Sequence, residues 1–198
     1  MMTRTILRFF VATLAFLPVT ASAHVGVGDA HGFVHGFSHP LCGIDHVLAM
    51  IAVGLLGAQL GGRAVWSLPL TFVAVMALAG IAGMAGIKLP FVEIGIGLSV
   101  VVLSLATAFQ LSMPTLAAVF LVGSFAIFHG HAHGTEMPET VSGFAYGLGF
   151  VCATALLHAV GIGVGLTIGT ATHVRDRRIV QTAGIAGAIV GVVNVILP

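Results

Sequence analysis

Long apolar stretches follow one another along this chain, with short polar breaks between them. Beyond the N-terminal region, six stretches are long enough to cross a membrane as helices: 41–60, 64–87, 90–110, 114–131, 141–169 and 178–197. The breaks contain glycine, proline or charged residues, which favour helix ends. The pattern predicts an all-α protein, a polytopic membrane helix bundle with six transmembrane helices spread over residues 41–198.

Composition agrees with this class and excludes others. Hydrophobic residues make up 58% of the 198 residues and charged residues only 7%, so a soluble domain would leave much apolar surface in water. The formal net charge of +1 provides no basic patch for a nucleic acid. The two cysteines, Cys42 and Cys152, are too few for a disulfide framework. We therefore expect a lipid bilayer around the chain.

The first 23 residues have the features of an export signal. Arg4 and Arg8 precede a short apolar core, and Ala21-Ser22-Ala23 forms an A-x-A cleavage site. The alternative is an uncleaved first helix, although the apolar run is shorter than the about 20 residues that a span needs. Cleavage would leave His24 at the start of a histidine-rich segment, residues 24–40, on the periplasmic side.

The distribution of basic residues predicts the topology. With the mature N-terminus outside, Arg63 and the cluster at 175–178 lie in cytoplasmic loops, whereas the outer loops contain only Lys88. This asymmetry follows the positive-inside rule and predicts a multi-pass protein of the bacterial inner membrane. Both histidine-rich stretches, 24–46 and 129–133, then lie on the outer side.

Glycines recur at four-residue spacing in several predicted spans. Small residues at this spacing let helix backbones approach closely in lipid. We expect helix packing at these pairs and triplets: Gly57 and Gly61; Gly143 and Gly147; Gly161, Gly165 and Gly169; Gly187 and Gly191.

A first group of metal-ligating side chains begins the first predicted span. Asp45 and His46 stand about one turn inside it, where an ionised carboxylate needs a partner. Cys42, His46 and Met50 are spaced by four residues and would share one helix face, and His39 could fold back toward them from the helix mouth. Carboxylate, imidazole and sulfur ligands suit Ni²⁺, Co²⁺, Zn²⁺ or Cu²⁺. A structural hydrogen bond between Asp45 and His46 remains the alternative.

A second group closes the fourth predicted span. His129, His131 and His133 alternate with glycine or alanine, and Glu136 adds a carboxylate. We interpret the alternation as an open backbone that lets the imidazoles converge on one ion. A polar helix cap in a solvated loop is the alternative.

The two groups resemble the signatures of a known family. His39-Pro40, Gly43, Asp45-His46 and Met50 match HPxxGxDHxxxM of the HupE/UreJ membrane proteins, and residues 128–136 match their second signature, FHGxAHGxE. The resemblance implies a secondary permease for nickel, or in some members cobalt, often linked to hydrogenase or urease maturation. His131 falls at a variable position of the second signature. The functional residues that the resemblance implies are His39, Asp45, His46, Met50, His129, His133 and Glu136.

Other histidines have two interpretations each. His158, with Cys152, would form a deeper second station for the ion or a structural hydrogen bond inside the bundle. His24, His31 and His35 would collect metal at the outer face or belong to a solvated tail.

Functions other than transport are also considered. A membrane metalloenzyme lacks support, because the chain has no HExxH stretch and no nucleophile beside a base, so we expect no enzyme and no catalytic cofactor. A non-transporting metal-binding partner, which passes ions to a maturing enzyme, remains open. So does the choice between Ni²⁺ and Co²⁺, because both accept the same ligands. The sequence contains no ATP-binding motif. It does not indicate how many copies of the chain associate.

Overall fold

Every secondary-structure element among the described residues is a helix. The computed structural model describes residues 29–138, 141–169 and 174–196, and within these ranges it contains seven helices and no strand. They are α1 (Asp29–Cys42), α2 (Ile44–Leu60), α3 (Ala64–Met84), α4 (Val92–Ala108), α5 (Thr115–Thr135), α6 (Gly143–Gly169) and α7 (Val174–Ile196). The predicted all-α class is confirmed. The predicted export signal, residues 1–23, and His24 lie outside the described residues.

Four of these helices are long and apolar enough to cross a membrane: α3, α5, α6 and α7. A fifth span arises if α1 and α2, which meet at an angle of 84°, cross as one bent pair. The remaining helix, α4, is apolar but has only 17 residues. The six predicted spans are thus confirmed in part, as four spans or five among the described residues.

The N-terminal helix α1 differs from the expected tail. The first span was predicted to begin near residue 41, but Pro40 lies inside α1 and the chain turns at Gly43. α1 packs against the first turns of α6, where a Cβ at Gly36 would overlap the Tyr146 carbonyl group. Because glycine removes this obstacle, residues 29–42 form a packed helix instead of a solvated tail.

Close backbone contacts join the remaining helices in pairs. In the α2 and α6 pair, Gly54 faces the His158 carbonyl and Gly161 faces that of Ile51. In the α4 and α7 pair, a Cβ at Gly191 would lie 2.8 Å from the Gly97 carbonyl oxygen. Such contacts are how helices associate where lipid removes the hydrophobic driving force between them.

The predicted glycine positions are only partly correct. Gly57, Gly161, Gly165, Gly187 and Gly191 all face a neighbouring helix at contact distance. Gly61 and Gly147 face open space, and Gly61 instead ends α2 with a positive φ of 70°. The atoms nearest to a Cβ at Gly143 belong to the side chains of Met137 and Met84, at 3.4 Å or more. Spacing alone therefore does not tell which side of a helix faces a partner.

The apolar core lies between α2, α3, α4 and α5. Leu56, Leu68, Phe72, Leu103 and Val122 are all fully buried there. Toward the end of the bundle where α2 begins and α5 ends, this core gives way to buried imidazoles. We call that end the histidine end and the other the opposite end.

Candidate metal centre

Two helices bring three imidazoles together at the histidine end. His46 lies in the first turn of α2, and His129 and His133 lie in the last two turns of α5. His129 and His133 are four residues apart in a continuous helix, so they share one face. The open backbone that we predicted for this stretch is therefore wrong, because α5 continues to Thr135.

The glycines of the same stretch have a packing role instead. A Cβ at Gly130 would overlap the Met76 carbonyl group, and a Cβ at Gly134 would overlap that of Gly80. Both contacts are with α3, which packs along α5. Glycine is needed here because it lets two helix backbones touch, not because it unwinds the helix.

The three imidazoles point nitrogen atoms at one another. Nδ1 of His46 lies 3.1 Å from Nε2 of His133 and 3.3 Å from Nδ1 of His129. His46 and His129 are each only 1% exposed. One nitrogen from each ring falls within 4.8 Å of the other two. The three inward nitrogens therefore surround a space suited to one small cation.

The outward nitrogen of His129 has a defined partner. The Ser99 hydroxyl donates to the Ile96 carbonyl oxygen at 2.6 Å, and therefore accepts from the Nε2–H group of His129 at 2.7 Å. A neutral imidazole carries one proton, so this hydrogen bond assigns a lone pair to Nδ1, the inward atom. Ser99 is fully buried, which fixes the ring orientation.

The other two rings follow the same scheme with weaker contacts. Nε2 of His46 lies 3.4 Å from the Thr154 hydroxyl, which itself donates toward the sulfur of Met76. Nδ1 of His133 lies 3.3 Å from a carboxylate oxygen of Glu136, near enough for an ion-pair contact but poorly aligned for a hydrogen bond. Each outward nitrogen thus faces an oxygen atom, and with the ring proton on that nitrogen, as in His129, each inward nitrogen keeps its lone pair.

Three lone pairs that face one another repel unless a positive charge lies between them. A divalent transition metal supplies that charge, and imidazole is a good ligand for Ni²⁺, Co²⁺, Zn²⁺ and Cu²⁺. Outer partners that hold the far nitrogen of each ring are the usual companions of metal-binding histidines. The arrangement is therefore better suited to ion binding than to a network of hydrogen bonds among the rings.

A second group continues the first toward the surface. Nε2 of His39 lies 2.9 Å from the same oxygen of Glu136 that His133 approaches. His39, His133 and Glu136 form a possible ligand set, so His133 belongs to both groups. The neighbouring imidazoles of His133 and then His39 lower the pKa of Glu136 to about 2. Its carboxylate is therefore charged at every physiological pH.

Both groups line one cavity of about 310 Å³ at the histidine end. Asp45, Cys42 and Glu93 also line it. Because the Glu136 side chain is half exposed, the cavity reaches the surface of the protein there.

The first predicted group is rearranged by the bend at Gly43. Cys42 lies on α1 and is exposed, so it no longer shares a helix face with His46. Met50 is fully buried in the apolar core and does not line the cavity. The Asp45 carboxylate accepts the backbone N–H of His46 at 2.8 Å, in the first turn of α2, where the helix dipole favours a negative charge.

The remaining predicted histidines lie outside the two groups. His131 points away from the cavity and donates to the Ile87 carbonyl oxygen at 2.6 Å. His31 and His35 are exposed on α1, and the His35 ring stacks on that of His39 with centroids 6.0 Å apart. His158 is buried deeper in the bundle, and Cys152, its predicted companion, is exposed on another face of α6.

Sequence reasoning missed Ser99 and Thr154, which orient two of the imidazoles. Ser99 gave no signal, because an isolated serine in an apolar helix has no distinctive neighbour in sequence. Thr154 did give a signal, because it belongs to a set of residues spaced by four that share one helix face. That face is buried along α6: Tyr146, Phe150, Thr154 and His158.

The sequence is similar to that of one known family of membrane proteins. The profile of the family described as HupE / UreJ protein matches residues 12–194. Protein HupE of Rhizobium leguminosarum bv. viciae is 46% identical over 179 residues, which cover 90% of this chain and 93% of that protein. No solved structure matches the chain.

Proposed function

The chain belongs to the HupE/UreJ family, and from this premise we propose that it is a secondary permease for a divalent transition-metal ion. Ni²⁺ is the first choice and Co²⁺ the alternative. Uptake would cross the bacterial inner membrane from a periplasmic histidine end. The basic residues support this orientation, because Arg63 lies in the turn between α2 and α3 at the opposite end, and among the described residues Lys88 is the one lysine or arginine near the histidine end.

The single observation that carries the proposal is the convergence of three imidazole lone pairs in a cavity that reaches the surface. His46, His129 and His133 supply them, and their outward nitrogens face Thr154, Ser99 and Glu136. This preorganisation selects ions that accept nitrogen ligands over Mg²⁺ and Ca²⁺, which prefer oxygen.

Entry proceeds from one group to the other through their shared residue. The ion first binds His39, His133 and Glu136, where the charged carboxylate attracts it. It then moves to His46 and His129 while His133 remains bound. Since one ligand is common to both positions, the ion never has to leave the protein completely between them. Binding at several positions also keeps each one weak enough for release.

The test is uptake of ⁶³Ni²⁺ and ⁵⁷Co²⁺ into proteoliposomes that contain the purified protein. We expect saturable uptake by the wild type and none by His46→Ala. His131→Gln is the matched control, because it also removes an imidazole from this end of the bundle but can still donate to the Ile87 carbonyl. Equal uptake by wild type and His46→Ala would refute the proposed site.

Equilibrium binding separates the proposal from its rival. A protein that binds Ni²⁺ through His46 but moves none into vesicles would be the non-transporting metal-binding partner instead. Competition between the two isotopes in the same vesicles ranks nickel against cobalt.

A further inference from the structure

One buried imidazole has no role in the site described so far. His158 lies on α6 and is only 1% exposed, and neither of its ring nitrogens has a hydrogen-bond partner. A buried polar group without a partner is destabilising, and such groups are rare in folded proteins. His158 is therefore held in a buried position where its ring nitrogens make no hydrogen bond within the described residues.

His158 lies one helical turn beyond the triad of imidazoles. Thr154, which contacts His46, precedes it by four residues on the same buried face of α6. The ring of Phe72 separates the two levels: its centroid is 5.6 Å from that of His129 and 5.4 Å from that of His158. The Phe72 ring is therefore in contact with both the triad and His158.

A hydroxyl and a thioether lie between the triad and the apolar core. The Thr154 hydroxyl is 3.8 Å from the sulfur of Met76, and both side chains are buried. The close contact of Gly54 with the His158 carbonyl fixes the height of α6 against α2 at this level. Oxygen, sulfur and nitrogen atoms thus occur together between the triad and the apolar core.

The opposite end of the bundle has unpaired polar atoms of its own. Oε1 of Gln59 and Oγ of Ser67 are buried without partners near the turn that joins α2 and α3. His158 lies between this turn and the triad. The unpaired groups of the described residues are therefore spread over the depth of the bundle instead of being gathered at one site.

We propose that His158 is an inner binding station, which receives the transition-metal ion from the His46, His129 and His133 triad before the ion leaves toward the opposite end. This inference rests on the proposed permease function and adds a second, weaker site to it. A neutral imidazole with few other ligands binds a divalent ion weakly, as a transit position requires. Cys152, exposed on another face of α6, takes no part.

The experiment compares His158→Cys with His158→Ser in proteoliposomes. The two side chains have nearly the same size, but only a thiolate is a good ligand for a transition metal. We expect His158→Ser to lower ⁶³Ni²⁺ uptake at least tenfold while equilibrium binding of Ni²⁺ at the outer triad stays within twofold of wild type. His158→Cys should recover part of the uptake and shift the preference toward Cd²⁺, a softer ion.

Other outcomes overturn the inference. Wild-type uptake by His158→Ser would show that the imidazole is not on the path. Equal loss in the serine and cysteine variants, without a change in metal preference, would show a structural role. If the wild type itself takes up no ion, the proposed permease function fails, which is a result distinct from both.

A measurement on the unaltered protein decides the matter even if the variants fold poorly. Crystals of the wild type grown with excess Co²⁺ should show anomalous scattering beside a ring nitrogen of His158 as well as within the triad. A signal at the triad alone, at saturating Co²⁺, would refute the inner station.

Discussion

The two ends of the bundle use the same helices for different purposes. At the histidine end, α2 and α5 place His46 and His133 against each other, and the outward nitrogens of the triad face Ser99, Thr154 or Glu136. Farther along the same helices, Leu56 and Val122 are fully buried in apolar packing. The difference teaches that the triad imidazoles lie where neighbouring side chains face their outward nitrogens, whereas His158, deeper on α6, has no such partner.

The largest effect should come from moving α5, which holds two of the three triad imidazoles, away from α3. Gly130→Val would force a side chain into the Met76 carbonyl group and push α5 away from α3. Overpacking of this kind destabilises by about 1–3 kcal/mol. We expect lower thermal stability in detergent, followed by size-exclusion chromatography on heating, and loss of Ni²⁺ binding.

Gly147→Val is the matched control for this prediction. No atom lies within 4 Å of a Cβ built at Gly147, so its stability and binding should remain near those of the wild type. If Gly130→Val were as stable as Gly147→Val, the contact between α3 and α5 would not be what positions the triad.

The next effect sharpens the comparison within the histidine end itself. His133 belongs to both ligand groups, whereas His39 belongs only to the outer one. Removing a residue that only orients a metal ligand typically lowers metal affinity about 10–100-fold. His133 is itself a proposed ligand in both groups, so His133→Ala should lower the Ni²⁺ affinity by at least about 100-fold. His39→Ala should lower it less, because His39 belongs to one group. Isothermal titration of both variants checks the order, and the reverse order would refute the shared position of His133.

A smaller effect is expected at a residue that touches no ion. Ser99→Ala removes the acceptor that holds His129 with its lone pair inward. The affinity for Ni²⁺ should fall by about 10-fold, the lower end of the range for a residue that only orients a ligand. Ser124→Ala is the control, because that exposed hydroxyl bonds only to the Phe120 carbonyl of its own helix. Equal affinities in the two variants would show that Ser99 does not set the tautomer.

The smallest effect distinguishes the imidazoles from the Glu136 carboxylate as the source of the pH dependence of uptake. Uptake should decline on acidification, because protons compete with the ion for the lone pairs of the imidazoles. The pKa of Glu136 is lowered to about 2, so its carboxylate stays charged over the whole neutral and mildly acidic range. Glu136→Gln should weaken uptake but keep this decline. Disappearance of the decline in this variant would assign it to the carboxylate.

Some of this architecture could be predicted from sequence because it depends on neighbours along the chain. Apolar run lengths gave the helical class, and the spacing of His129 and His133 placed them on one face once the helix was known to continue. The alternating glycines misled us, because the same residue opens a loop or lets two helices touch, and only the position of α3 decides between these roles.

Features that depend on distant partners could not be predicted. Ser99 reaches His129 across 30 residues, and Thr154 reaches His46 across 108 residues. The bend at Gly43 likewise depends on α1 finding its place on α6, a contact that no local pattern encodes. For this reason Cys42 and Met50 were expected on one helix face with His46, whereas Cys42 lies on α1 at the edge of the same cavity and Met50 is buried in the apolar core.

In the last turns of α5, glycines and histidines occur in neighbouring positions and face different helices. Gly130 and Gly134 face α3, whereas His129 and His133 face α2. Under the proposed function, the imidazoles that would bind the ion alternate with the glycines that let α3 and α5 touch, and the two sets face different neighbours. If the proposed function holds, exchanging the imidazoles for thiolates or carboxylates should change the metal preference and leave the contact between α3 and α5 intact. The same short segment thus keeps its architecture while its chemistry is rewritten.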